Sequence, residues 1–153
     1  MIINAETRLQ DIIKEFSEYS EFVALRLFPI DEMERAKKNP GDPSLNLLDY
    51  TKTIRECATK DIDADCEISI EYDMRVGNIE EDFLETFGIY AQVCFVCDGD
   101  LMCSNPRTDE YMPYQFDDGD EHWRFERIAN YRRPMRRGPG MRNQEPTKWY
   151  IGL

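Results

Sequence analysis

The sequence lacks the features that mark a membrane-spanning or exported chain. No stretch approaches the roughly 18 consecutive apolar residues that a transmembrane helix needs, and no basic segment followed by an apolar run opens the sequence. We therefore expect a cytoplasmic protein. Isoleucine, leucine, valine and phenylalanine account for 34 of the 153 residues, which is enough for one thin hydrophobic core. The length predicts a single domain over residues 1–153.

The sequence also has few of the residues and motifs on which catalysis depends. There is one histidine, His122, and no nucleophile elbow, phosphate-binding loop or dinucleotide fingerprint. His122 follows a dense acidic turn, which favours the charged form of its imidazole, and we interpret it as a surface residue. The expectation is a protein that is not an enzyme and has no cofactor.

Cysteines are few, and their number is odd. Five thiols without an export signal argue against a disulfide framework and predict reduced, mostly buried side chains. One alternative remains open, because Cys94 and Cys97 have CxxC spacing and precede a glycine turn. Cys103 and His122 could complete a four-ligand zinc site in a small structural or assembly module. Against this, residues three apart on a strand point to opposite faces of the sheet.

Positive charge is scarce in most of the chain. The sequence holds 31 acidic and 19 basic residues, for a net charge of −12. Residues 1–121, the acidic body, contain 29 of the acids and 11 of the bases, whereas residues 122–153, the basic C-terminal segment, contain 2 and 8. Such a body repels nucleic acid and anionic membranes and attracts basic surfaces. Direct nucleic-acid binding by the basic segment competes with its docking on the acidic body or on a second subunit.

The clearest pattern is an uninterrupted alternation of apolar and polar residues over 61–76. It predicts one long strand with a buried face and an acidic face. Carboxylates on that face would stand roughly 6.5–7 Å apart, in a row that resembles the phosphates of a nucleic-acid strand. The predicted partner-binding residues are Asp61, Asp63, Asp65, Glu67, Glu71, Asp73, Glu80, Glu81, Asp82 and Glu85.

Two other interpretations fit this row of carboxylates. It could be a solvated strand face, or an edge strand charged to prevent aggregation. The first three aspartates also match the opening of a calcium-binding EF-hand loop. That match fails at its sixth position, where Cys66 replaces glycine, and at its twelfth, where Tyr72 replaces glutamate.

Helical periodicity and capping signals predict four helices. They cover residues 5–19 after an Asn4 cap, residues 31–38 with a capping box between Asp31 and Glu34, a segment from Ser44 to Ala58, and residues 78–87 before Gly88. Residues 22–28 fit either a strand or a helical turn.

Residues 89–97 are largely apolar at both odd and even positions, as is typical of a central strand that is buried on both faces. A turn at 98–100 predicts a hairpin with residues 101–104. Residues 114–125 fit a second hairpin, and a helix over about 121–132 is the alternative for this part of the sequence. The predicted fold is α+β: N-terminal helices packed on an antiparallel sheet of four or more strands, with a basic extended C-terminal tail.

Together these observations predict a non-enzymatic acidic protein that occupies a basic, nucleic-acid-binding surface of a protein partner such as a nuclease. Small phage anti-defence proteins and toxin-immunity proteins are of this physical type, although no motif links the sequence to them. Charge would speed association, and the aromatic residues Tyr111, Tyr114 and Phe116 would supply affinity. The zinc-stabilised module is the alternative, and self-association through the basic segment is a further possibility.

Overall fold

The computed structural model describes residues 1–19, 23–39, 41–71, 74–97 and 100–103. The helices are α1 (Leu9–Tyr19), α2 (Met33–Lys38), α3 (Ile54–Cys57) and α4 (Val76–Phe87). The strands are β1 (Ile2–Asn4), β2 (Val23–Phe28), β3 (Glu67–Ser69), β4 (Tyr90–Cys97) and β5 (Asp100–Cys103). Helices and antiparallel strands thus make up an α+β chain, as predicted.

The larger sheet has the strand order β2-β4-β5, and both pairings are antiparallel. The apolar run at 89–97 forms its central strand, and β5 pairs back on β4, so the predicted hairpin is confirmed. The ambiguous segment 22–28 contributes strand β2, whose residues are all buried. A strand buried on both faces explains why its sequence shows no alternation.

One face of this sheet carries the main hydrophobic core. Apolar side chains at helical spacing bury one side of α1, and a second stripe buries one side of α4. They pack on the sheet residues that point to the same face, among them Leu25 and Val93. Helix α4 ends at Gly88, which has φ 66°. This left-handed conformation suits glycine and was predicted from the sequence.

The opposite face of the sheet is covered by α2 and by the loop that follows it. Phe28 and Tyr90 form a smaller cluster there with Ala36 and Leu45. The predicted helix 31–38 is therefore largely confirmed, although it opens with a 3-10 turn at Ile30–Glu32. No side chain caps α2, so the predicted capping box does not form.

The prediction of one sheet with four or more strands is wrong for the described residues, whose five strands form two separate sheets. Strand β1 pairs with β3, with Ile3 opposite Ile68, in a second sheet of two strands. Both isoleucines point into the main core. The split follows from length, because β1 and β3 have three residues each and give a ladder too short to join the larger sheet.

The first helix begins four residues later than predicted. Asn4 belongs to β1, and its Oδ1 atom accepts a hydrogen bond from the backbone N–H of Glu6 at 2.9 Å. Asparagine favours such turns because its side chain binds the backbone two residues on. The turn delays α1 to Leu9.

The predicted helix from Ser44 to Ala58 is reduced to α3. Asp42 accepts hydrogen bonds from the N–H and hydroxyl of Ser44, and Asp49 does the same with Thr51. These local bonds offer the backbone an alternative to a helix. The apolar stripe is nevertheless buried, with Tyr50 and Ile54 in the main core.

Several predicted features lie outside the described residues: the second hairpin, the aromatic residues at 111–116 and the basic C-terminal segment. Within the described ranges, no helix combines the length and the apolar character needed to cross a membrane.

Candidate functional site

The acidic residues that follow Asp61 do not lie on one long strand, so the predicted strand over 61–76 is wrong. Only Glu67–Ser69 is a strand. Before it, Asp63 holds a turn: its Oδ1 atom accepts from the N–H of Asp65 at 3.0 Å, and its carbonyl accepts from the N–H of Cys66 at 3.2 Å. An aspartate that bonds the backbone two residues on favours a turn over an extended chain.

The other end of the predicted strand is also replaced by different structure. The N–H of Ile70 donates to the carbonyl of Met1 at 2.8 Å, which is the last backbone bond of this ladder. The N–H of Met74 donates to the carbonyl of Glu71 at 3.1 Å, and helix α4 begins at Val76. Beyond the three residues of β1, Met1 and Ile70 add one more hydrogen-bonded pair, and the described pairing of this strand ends there.

The alternation nevertheless identified which side chains are buried around β3. Ile68 and Ile70 are buried, while Glu67 and Glu71 are exposed. The evenly spaced row of carboxylates is therefore replaced by a bent arrangement, with acids on a turn, on a short strand and on a helix. The analogy with a straight strand of phosphates does not hold, although the concentration of negative charge does.

The acids of the first part form what we call the turn group: Asp61, Asp63, Asp65, Glu67 and Glu71. All five are exposed. Glu71 accepts a hydrogen bond from the hydroxyl of Ser69 at 2.7 Å, and Asp63 caps its own turn. The other three carboxylates face solvent without a hydrogen bond to any described residue.

The acids on the outer side of α4 form the helix group: Glu81, Asp82 and Glu85. Glu81 and Glu85 are exposed and one helical turn apart, and α4 itself contains no lysine or arginine. Partial burial and, to a lesser extent, the charge of Glu85 raise the pKa of Asp82. Helix α4 packs beside β3, so the elements that carry the two groups are neighbours.

Two of the predicted binding residues, Glu80 and Asp73, belong to neither group. Glu80 is half-buried, and its Oε2 atom accepts from the backbone N–H of Val93 at 2.9 Å. This bond joins α4 to the central strand, so Glu80 has a structural role. Asp73 lies outside the described residues.

Basic side chains do little to neutralise these acids within the described ranges. The ion pairs found there join Glu32 to Arg35 and Glu6 to Arg55, and neither involves the turn group or the helix group. Lys60 directs its ammonium to the backbone carbonyl of Glu85, at 2.7 Å, rather than to a carboxylate. The charge of both groups is therefore not cancelled by described side chains.

Comparison with protein-family models, curated proteins and solved structures finds no match.

The described residues hold no cluster of three or more histidine, cysteine or acidic side chains arranged to bind a metal ion. Cys57 and Cys66 are free thiols, as expected, but Cys94 is disulfide-bonded. The expectation of a reduced thiol is thus wrong at Cys94, which in this state has no thiolate to give to zinc. The side chains of Cys97 and Cys103, and all of His122, lie outside the described residues, so the zinc site stays a prediction.

Two buried polar residues on the second face of the sheet were not among the predicted site residues. Arg26 and Gln92 lie in the middle of β2 and β4, and both are buried. The signal was present in the sequence as a single polar residue within an apolar strand, VALRLF in β2 and YAQVCFVC in β4. Polar residues in such positions are rare without a partner.

Proposed function

We propose that this protein is a non-enzymatic, acidic binding protein that occupies a basic surface of a protein partner, of the kind that normally holds nucleic acid. One observation supports this most directly. The turn group and the helix group lie on neighbouring elements and present exposed carboxylates that no described side chain neutralises. Over residues 61–87 there are ten acidic residues and one basic residue, Arg75.

The placement of the helix group favours a binding role over a role in stability. Acids of like charge one turn apart destabilise a helix by about 0.2–0.5 kcal/mol per pair. Glu85 also lies in the last turn of α4, where the helix dipole disfavours negative charge. The isolated fold therefore gains nothing from these acids, whereas a cationic partner would offset both effects.

Electrostatic recognition of this kind fits the bent arrangement of the acids. Surfaces that bind nucleic acid are rich in lysine and arginine, and they attract any dense anionic surface of matching extent. Negative charge on the incoming protein would accelerate association and make it depend on salt. We expect the protein to act in the cytoplasm and without a cofactor.

The test is competition between this protein and a nucleic acid for one partner. The full chain is used to capture partners from a lysate at graded salt, and each captured protein is then assayed with a labelled DNA or RNA duplex. We expect displacement of the duplex, with weaker inhibition as salt increases. A partner whose nucleic-acid binding is unaffected at saturating protein would contradict the proposal.

Neutralising variants identify the residues. In the turn group, Asp63→Asn, Asp65→Asn, Glu67→Gln and Glu71→Gln keep the shape and the oxygen acceptors that hold the turn. Combined, they are expected to weaken inhibition at least tenfold while leaving the unfolding temperature nearly unchanged. Glu34→Gln on α2, on the other side of the larger sheet, is the control for each single substitution. Unchanged inhibition by the combined variant would show that the turn group is not the contact surface.

The same preparations test the alternatives. About one zinc per chain in the reduced protein would favour the zinc-stabilised module, in which Cys94, Cys97, Cys103 and His122 bind the metal. Self-association at low salt that disappears at high salt would favour docking of the basic C-terminal segment on the acidic body of a second copy.

A further inference from the structure

An uncompensated polar pair lies on the face of the larger sheet that α2 and the following loop cover. Arg26 of β2 and Gln92 of β4 are directly opposite each other in the antiparallel register. Their exposed fractions are 4% and 0%. Both point away from the main core, to the same side as Phe28 and Tyr90. Two fully buried polar side chains thus meet in the middle of the sheet.

Arg26 has no described carboxylate in direct contact. Burial lowers the pKa of its guanidinium, although the charge of the Asp42 carboxylate acts on it from a longer distance and opposes that lowering. Its Nη2 atom donates to the carbonyl of Asp42 at 2.9 Å, and the group stacks over Phe28 at 5.0 Å from the ring centroid. Its Nη1 atom has no hydrogen-bond partner, and no described carboxylate lies within ion-pair distance. Buried charges in proteins are otherwise paired, because desolvation without a partner costs several kcal/mol.

Gln92, in contrast, has a buried acceptor atom without a hydrogen-bond donor. Its Nε2 atom donates to the carbonyl of Ala36 at 3.1 Å and to the hydroxyl of Tyr90 at 3.3 Å. The carbonyl of Ala36 can only accept, which fixes the orientation of the amide. The Oε1 atom is then left buried and without a donor. A donor on Arg26 and an acceptor on Gln92 are therefore unsatisfied at facing positions.

Basic side chains lie near this pair even in an acidic protein, although the carboxylates of Asp42 and Glu34 also act on this region. Helix α2 carries three basic residues, and the ammonium of Lys37 lies 5.8 Å from the ring centroid of Tyr90 on this face. Glu32 is a buried acid of this region, and its carboxylate accepts hydrogen bonds from the guanidinium of Arg35 and from the backbone N–H of Asn46. Neither interaction supplies Arg26 with a partner.

We propose that Arg26 and Gln92 bind a small oxyanion that carries a hydroxyl group, of the hydrogen phosphate or bicarbonate kind. An anionic oxygen accepts from Nη1 of Arg26, and the hydroxyl hydrogen is donated to Oε1 of Gln92. The ligand enters beneath the loop around Asp42, whose carbonyl already holds the guanidinium and which is only half-buried. This inference is independent of the acidic surface.

The test compares small anions on the full chain, and hydrogen phosphate and sulfate form the pair of equal charge. At pH 8, hydrogen phosphate and sulfate are both dianions, but only hydrogen phosphate has a hydroxyl hydrogen. Unfolding temperature and calorimetric titration are recorded with phosphate, bicarbonate, sulfate and chloride at matched ionic strength. We expect phosphate or bicarbonate to raise the unfolding temperature by at least 2 °C over chloride, and sulfate to have a smaller effect. Equal behaviour of all four anions, or of phosphate and sulfate, would overturn the proposal.

Two variants locate the effect. Arg26→Met replaces the buried charge by an apolar side chain of similar length and is expected to abolish the response, whereas Arg55→Met, at an exposed arginine, is expected to keep it. A response that survives in Arg26→Met would place the anion elsewhere. If that variant does not fold, Gln92→Met decides: anion binding should persist, but the preference for hydrogen phosphate over sulfate should disappear. A preserved preference would refute the role of Gln92.

Discussion

Reversing one charge in the helix group should make the protein more stable and a weaker binder at the same time. We consider Glu85→Lys, in the last turn of α4. The change removes repulsion with Glu81, four residues earlier, and replaces it by attraction, each about 0.2–0.5 kcal/mol. It also places a positive charge where the helix dipole favours one, for about 0.3–1 kcal/mol. Proximity to Lys60, which binds the Glu85 carbonyl, offsets part of this gain.

The net expectation is about 0.5–1 kcal/mol of added stability, or a rise of about 1–4 °C in unfolding temperature for a chain of this size. Differential scanning calorimetry of the free protein measures it. Binding to the captured partner, followed by fluorescence anisotropy at low salt, should weaken at least tenfold, which corresponds to about 1.4 kcal/mol.

The matched control is Glu34→Lys, in the first turn of α2, where an acid stabilises the helix. It should lower the unfolding temperature slightly and leave binding unchanged. The reasoning is refuted if Glu85→Lys lowers the unfolding temperature, because the carboxylate would then have a stabilising role within the fold. A higher temperature with unchanged binding would refute the helix group as a contact surface.

Three further predictions concern the elements that hold this surface. Gly88→Ala should lower the free energy of unfolding, measured by chemical denaturation, by more than about 2 kcal/mol, because alanine is strained at φ 66° and its Cβ would clash with Oγ1 of Thr59. A loss below about 0.5 kcal/mol would contradict this. Glu80→Ala should lower stability by about 1–3 kcal/mol by leaving the Val93 N–H unpaired, whereas Glu81→Ala should not. Asp82→Asn should stabilise the protein at pH 7, because the pKa of Asp82 is raised and its ionised form is penalised in the fold. That gain should disappear below pH 3.8, where the carboxyl is protonated in both the folded and the unfolded state, and a pH series of unfolding temperatures tests it.

Sequence periodicity was most informative where a segment is long enough to satisfy its own backbone. The element type was predicted correctly for α4, from its apolar stripe and the glycine that follows it, and for β4, from its apolar run. Each pattern is compatible with one type of element. The error at 61–76 has a specific cause. Alternation describes burial, but a strand also needs a neighbour, and the described neighbour, residues 1–4, pairs with residues 67–70.

The candidate site was predictable in composition rather than in shape. The excess of acids around β3 and α4 is visible in the sequence, but the Asx turn at Asp63 and the bond from Val93 to Glu80 depend on tertiary context. Arg26 and Gln92 were missed for the same reason. Their register across β2 and β4 is a long-range pairing that no local pattern encodes.

The helix that carries Glu81 and Glu85 also inserts Ile79, Phe83 and Phe87 into the hydrophobic interior. Under the proposed function, the outward carboxylates stand on a helix that is anchored in the core, and they need little ordering when a partner binds. Such pre-organisation favours selectivity for one cationic shape over general stickiness toward positive charge. The substitution Phe83→Ala, which leaves a cavity in this interior, should then lower both the stability of the fold and the discrimination between partners.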